Sequence, residues 1–468
     1  MTNNTYSNYQ SPFTWRYGSE VMREVFSEQK KYAIWRSIWV ALAKAQNQAG
    51  LISREELADL EKHEKDIDPE RILEIEKETD HDVVAAIKEF AEKAPIGGGK
   101  IHLGATSMDI VDNADALRTM HAIAIVEAKL KKILSLFAEK AEKYADITCM
   151  GFTHIQPAEP TTLGYRFAFY AQDLLIDYQL LQFVKQTYKA KGMKGAVGTA
   201  ASYTQLLKGT PVTPDALEKN VMHQLGINAA LIATQVSPRK YDYLVLTVIN
   251  SIASSLAKFA GDLRLLQSPP IGEWSEPFGK KQVGSSAMPF KRNPKNAEKI
   301  CSLARYVAAL PNVALENATL SYLERTLDDS ANKRIIIAEG FLTLDEIMNT
   351  AEKIITGIVI NEKKIAFNLA QYAPFAASEA ILMESVKQGA SRQTMHETLR
   401  TIALEAWQAI QEGKPNPMTN LLTTNQEIKK YVSPEALQPL LDVNHHVGDA
   451  PTRAKQLVKI IYEILKGE

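Results

Sequence analysis

VLTVINSIASSLAKFAGDLRLL, Val245 to Leu266, sets the reading of this chain as helical. Its apolar side chains at Val245, Ile249, Ile252, Leu256, Phe259, Leu263 and Leu266 are separated alternately by four and three residues, which keeps them in one stripe along an α-helix. A second stripe, Ile123, Val126, Leu130, Ile133, Phe137, Ala141 and Tyr144, repeats the pattern, with Lys131, Lys132, Glu139, Lys140 and Glu142 on its polar side. Two such seams predict long antiparallel helices in a central bundle. Period-two alternation bounded by hairpin turns is scarce, with Ile358 to Ile360 as a short candidate for extended chain. The expected fold class is all-α.

Outward from the seams, shorter helices are expected over Tyr32 to Gly50 and Arg54 to Lys65. The run Gly97-Gly98-Gly99 reads as a flexible joint near a domain edge. It has no Gly-Lys-Ser/Thr ending, no GxGxxG spacing and no strand before it, so it is not read as a phosphate cradle. A chain of 468 residues exceeds what one hydrophobic core usually supports. With Gly357 and Asn361-Glu362 marking another boundary, the expected division is an N-terminal helical domain over 1–111, a central bundle over 112–364 and a C-terminal helical domain over 365–468.

Hydrophobic residues make up 45% and charged residues 23%, an ordinary globular composition, and the formal net charge of -1 leaves no global field to draw nucleic acid or an anionic membrane. No apolar run reads as long enough to span a bilayer, and the polar start MTNNTYSNYQ carries no secretory signal, so a cytoplasmic location is expected. The two cysteines, Cys149 and Cys301, lack metal-ligand spacing and read as buried small hydrophobes.

Polar chemistry is concentrated in a few segments. GSSAMPFKRNP, Gly284 to Pro294, sets two hydroxyls, a lysine and an arginine between glycine and proline, a composition suited to presenting groups around an anion. Thr79-Asp80-His81-Asp82, His102-Leu103-Gly104-Ala105-Thr106-Ser107 and Gly151-Phe152-Thr153-His154-Ile155-Gln156-Pro157 each join a histidine to hydroxyl, amide or carboxylate neighbours. Tyr322 to Ser330 carries too many polar groups for a buried helix: Asp328 and Asp329 suit a helix start, while Arg325, Ser330 and Arg334 suit a phosphate. His63, His121, His223, His396, His445 and His446 read as structural.

These segments together resemble the fumarase/aspartase superfamily, whose members release fumarate from succinyl compounds. GSSAMPFKRNP looks like its signature loop, and ERTLDDSAN (Glu324 to Asn332), GFTHIQPAEPTT (Gly151 to Thr162) and HLGATS (His102 to Ser107) are similar to the adenylosuccinate lyase family within it. The likeness runs from Trp15-Arg16-Tyr17 to Ser391-Arg392-Gln393. It implies a three-domain helical fold and β-elimination of fumarate from adenylosuccinate to give AMP, and from SAICAR to give AICAR, with no metal or organic cofactor. It also implies a homotetramer with sites shared between subunits.

By the same resemblance Ser285 is the base, His154 the general acid, Lys291 the stabiliser of negative charge and Glu298 a carboxylate that orients a histidine; His81 joins this set in a positioning role. A serine base needs its ionised form stabilised by backbone N–H groups and a nearby cation. Substrate contacts carried over are Arg16, Tyr17, Asp82, His102, Thr106, Ser107, Gln235, Ser286, Met288, Asn293, Arg325, Ser330 and Arg334. Two positions depart from the family pattern: Asp80-His81-Asp82 stands where Arg-His-Asp is common, which puts aspartate in place of arginine at 80, and Lys299 stands where arginine occurs. Argininosuccinate lyase or another fumarate-releasing enzyme is the alternative within the superfamily, against which the phosphate-suited Arg16, Arg325, Ser330 and Arg334 weigh. A non-catalytic protein keeping the lyase fold is the alternative from another class, and the presence of His154, Ser285 and Lys291 weighs against it.

Overall fold

The computed structural model describes residues 7–279, 287–288 and 290–467. Its longest helices are Ser107–Lys143, Leu163–Thr187, Lys240–Leu266, Lys295–Thr319 and Asp328–Gly357. Both stripes read from the sequence are buried faces. The seven members of the Val245–Leu266 stripe are at most 5% exposed, and Ile123 to Ala141 at most 1%; Tyr144 is half-buried where the second stripe runs out. One expectation is corrected here: by length and composition Lys240–Leu266 does suffice to cross a membrane, with mean hydropathy 1.5. The stripe that supplies this hydropathy is packed inside the protein, as in the core helix of a globular fold.

The chain forms two compact units: 1–129, 177–254 and 302–349 make the first, and 130–176, 255–301 and 350–468 the second. In the first unit, helix Glu28–Gln48 begins at a Ser27 cap and Arg54–Lys62 at a capping box of Ser53 and Glu56, so serines satisfy amides that the first turn leaves free. Trp35, Ile38, Trp39 and Phe90 lie in the core that these helices cover. The triple glycine is not a loose joint. The amides of Ile96 and Gly97 donate to Asp59 at 2.8 and 3.0 Å, and that of Gly98 to the Ala94 carbonyl at 2.7 Å. A Cβ on Gly97 would lie 2.4 Å from the Glu56 carbonyl oxygen, so glycine serves close backbone approach.

In the second unit the structure adds an antiparallel hairpin, Thr148–Thr153 with Gln156–Thr162, that the helical reading did not anticipate. Its base is clamped: the Leu163 amide donates to the Ile147 carbonyl at 2.8 Å and the Gly164 amide to the Tyr144 carbonyl at 2.7 Å. Only glycine fits at 164, where a Cβ would sit 2.4 Å from the Ala141 carbonyl oxygen. The extended piece expected near Ile358 to Ile360 is a short strand, Val359–Ile360, paired with Trp274–Ser275, and the Trp274 ring stacks on Phe167 at 4.5 Å. Helices after Gly357 close over their own core, which includes Ile381, Met395, Leu399, Met418 and Leu422.

Candidate active site

The first unit contains a cavity of about 570 Å³. Four segments distant in sequence line it: His81 and Asp82, Thr106 and Ser107, Gln235, and Arg325 with Ser330 and Arg334. Each is placed by a local device. His81 caps helix Asp82–Lys93, its Nδ1 accepting the Val84 amide at 3.5 Å, which leaves Nε2 as a donor. Asp80 closes the preceding helix with a left-handed backbone (φ 50°), a conformation that aspartate tolerates, so the carboxylate there has a backbone reason. Asp109 accepts the Thr106 amide at 3.1 Å where helix Ser107–Lys143 begins. That carboxylate is itself buried among the Lys191 ammonium, the Lys194 and Gly195 amides and the Tyr203 hydroxyl. The Gln235 amide donates to the Glu324 carbonyl at 3.3 Å, tying its loop to the one that carries Arg325.

Eight carboxylates and six Lys or Arg side chains line the cavity, so most of its cations are already neutralised. Arg334 pairs with Asp82 at 2.9 Å, Lys333 with Asp115 at 2.8 Å, and Lys31 with Glu28. On the floor Arg239 bridges Asp112 at 3.0 Å and Asp329 at 2.5 Å. Burial by itself would raise the Asp112 carboxyl, but Arg239 and Lys333 overcome it and hold the group down at about 2. Asp242, buried beside them, is raised by that burial. Arg325 differs: its Nη1 is buried with no hydrogen-bond partner. A buried guanidinium nitrogen without a partner is costly unless an anion completes it.

Arg16, Tyr17 and His102 belong to the same unit but do not line the cavity. Arg16 is exposed over the Trp15 ring at 4.6 Å, and Tyr17 packs edge-on against Phe13. His102 accepts the Trp39 indole N–H at Nδ1, 3.1 Å away, so its neutral ring carries the proton on Nε2. Burial, opposed by Asp109 and reinforced by His81, pushes this imidazole down to about 4. Its folded value therefore lies below its unfolded value. The neutral ring's contribution to stability is complete above the unfolded value near 6.5 and is lost as pH falls toward 4. Between pH 7 and 4.5 urea titrations should show the wild type losing about 2 kcal/mol more than His102→Gln. Equal losses would show that His102 does not couple folding to protons.

The remaining predicted residues belong to the second unit or lie outside the described residues. Ser285 and Ser286 are outside them. Lys291 is exposed, its amide donating to the Met288 carbonyl at 3.0 Å; Asn293 is half-buried; Glu298 is exposed in the first turn of Lys295–Thr319. His154 stands with Ile155 at the apex of the hairpin, both with left-handed backbone at φ 53° and 61°. Positive φ at both central residues is the mark of a type I′ turn, where Asn-Gly is the usual pair. A β-branched residue held there and 64% exposed is strained, and such strain concentrates at functional sites.

The residues that sequence reasoning missed form the cavity floor: Asp112, Arg239, Asp329 and Lys333. A signal was available. Counting back from Ile123 by the seam's own spacing reaches Thr119, Ala116, Asp112 and Asp109, all at most 3% exposed, so two carboxylates occupy core positions of the stripe. Among the described residues no cluster of histidine, cysteine or acidic side chains is arranged to hold a metal ion.

Residues 16–308 match the model of the Lyase family, and residues 374–457 that of the adenylosuccinate lyase C-terminus. The chain is 36% identical over 460 residues to adenylosuccinate lyase of Saccharomyces cerevisiae, covering 97% of this chain and 95% of that one. It is 35% identical over 455 residues to adenylosuccinate lyase of Archaeoglobus fulgidus, covering 97% and 99%. The 3-carboxy-cis,cis-muconate lactonizing enzyme from Pseudomonas putida superposes with a TM-score of 0.85 at 24% identity, covering 97% of this chain and 99% of its own, which speaks to the fold alone.

Proposed function

We infer the reaction from kinship: this chain belongs to the adenylosuccinate lyase family, and it is a lyase that splits adenylosuccinate into AMP and fumarate. The observation on the chain itself that best supports this reading is the cavity in which Nη1 of Arg325 is buried and unpartnered while the neighbouring cations are paired. In this reading Arg325 and Ser330 hold the nucleotide phosphate with Arg334, and His81, Asp82, Thr106, Ser107 and Gln235 position the rest of the substrate. Arg16, Tyr17, His102, Ser286, Met288 and Asn293 complete the binding set.

Elimination requires a carbon proton to leave, the carbon–nitrogen bond to break and the nitrogen to be protonated. Ser285, ionised, takes the proton from the succinyl carbon. The electron pair left there forms the double bond of fumarate as the carbon–nitrogen electrons pass to nitrogen. His154 delivers the proton that nitrogen needs, and its apical position gives it reach. Lys291 offsets the charge gathering on the succinyl carboxylates, and Glu298 orients a histidine. The same steps convert SAICAR to AICAR.

The reading includes a cytoplasmic homotetramer with three-domain subunits and sites shared between copies. Support for assembly comes from helix Leu163–Thr187, where Tyr165, Phe169, Ile176 and Phe183 recur at four- and seven-residue spacing and are all exposed. Sedimentation should find four copies in the active species; an active monomer would refute this. The reaction is tested by following fumarate release from adenylosuccinate, SAICAR and argininosuccinate offered separately. Turnover of argininosuccinate alone would overturn the assignment.

A further inference from the structure

Arg239 is the hub of the cavity floor. Its Nη1 donates to both oxygens of Asp112 at 3.0 Å and to the Ser237 hydroxyl at 3.1 Å, and its Nε donates to Asp329 Oδ2 at 2.5 Å. One guanidinium therefore joins the start of helix Ser107–Lys143, the turn before Lys240–Leu266 and the start of Asp328–Gly357. Each of these segments carries a cavity-lining residue of the substrate set: Ser107, Gln235 and Ser330.

The same bonds decide where the Asp329 carboxylate goes. Asp329 stands four residues after Arg325, both line the cavity, and Asp329 is 4% exposed. Its Oδ2 is engaged by Arg239, while its Oδ1 and Arg325 Nη1 both remain buried and without a partner, so the two charges are not bonded to each other. A buried carboxylate stripped of its cation is driven strongly to find another. Arg325 is a cavity cation whose guanidinium still has such a position open. We propose that Arg239 is a positioning residue that, by occupying Asp112 and Asp329, keeps Arg325 available for the anionic group of the substrate. This rests on the cavity being the nucleotide-binding part of the lyase site.

The test compares Arg239→Met, Asp329→Asn, the double variant and Arg239→Lys in the full-length protein. Arg239→Met should raise KM for adenylosuccinate roughly 30-fold or more, with kcat changing less than about fivefold, because a binding group has been quenched. Adding Asp329→Asn removes the competing carboxylate and should bring KM back by about fivefold or more, a recovery that a second lesion in a merely structural element would not give. Should Arg239→Met fail to fold, Arg239→Lys decides: it keeps a charge for Asp112 but has no Nε fork for Asp329, and its KM should rise about tenfold. The inference is overturned by a KM within about twofold of wild type in the folded Met or Lys variant, or by a double variant no better than Arg239→Met. A wild type that releases no fumarate from adenylosuccinate would instead sink the reaction assignment. Calorimetric binding of AMP to the same variants would then still test the role of Arg239.

Discussion

His154→Ala leaves a folded protein whose turnover of adenylosuccinate is lower by about 10²- to 10⁴-fold, the contribution of a positioned general acid. The side chain is exposed at a hairpin apex, so its removal costs little packing. Backbone and chemistry are separable at this position. Asparagine suits a left-handed turn better than histidine does, so His154→Asn should match or exceed wild-type thermal stability while losing as much activity. Near-normal turnover in His154→Asn would remove the residue from the mechanism. Ser285→Ala is expected to cost at least as much, since the base begins the elimination.

Arg325→Met raises KM for adenylosuccinate by roughly 100-fold, about 3 kcal/mol, the scale of charge-assisted hydrogen bonds lost in a sheltered site. The sign of its effect on stability is the sharper part of the expectation. In the protein without ligand, Nη1 of this guanidinium is buried and unpartnered, so replacing it by an apolar side chain should leave the melting temperature unchanged or raise it. Affinity and stability would then move in opposite directions, as they do where a binding site is held ready at the expense of the fold. A KM within about threefold of wild type, or a marked fall in melting temperature, would show that Arg325 serves the fold and not the ligand.

Fold and site were unequally legible in the chain. Long helices declare themselves because a period of three and four residues, repeated over many turns, has one geometric solution that buries a stripe. Both seams were readable for that reason, and both are buried. The hairpin was not readable: its strands hold Gly151, Pro157 and Pro160, residues that weaken strand patterns, and its turn is His154-Ile155 in place of a glycine pair. Its base is fixed by the clamp of Gly164 against the end of the preceding helix, a tertiary matter. Gly97 to Gly99 misled in the opposite way, because glycine permits close packing as well as looseness, and only the neighbours decide which.

By itself the sequence determined the helical class, the position of the seams, the polar segments of the chemistry and, through their resemblance, the family. Those are local or additive properties: spacing, residue type and motif order survive in one dimension. Only the tertiary structure decided which charges cancel. Arg239, Arg325, Lys333 and Arg334 are equivalent cations on the page, yet three are paired and the Nη1 of one is left open, because pairing depends on distances between helices that no spacing along the chain encodes.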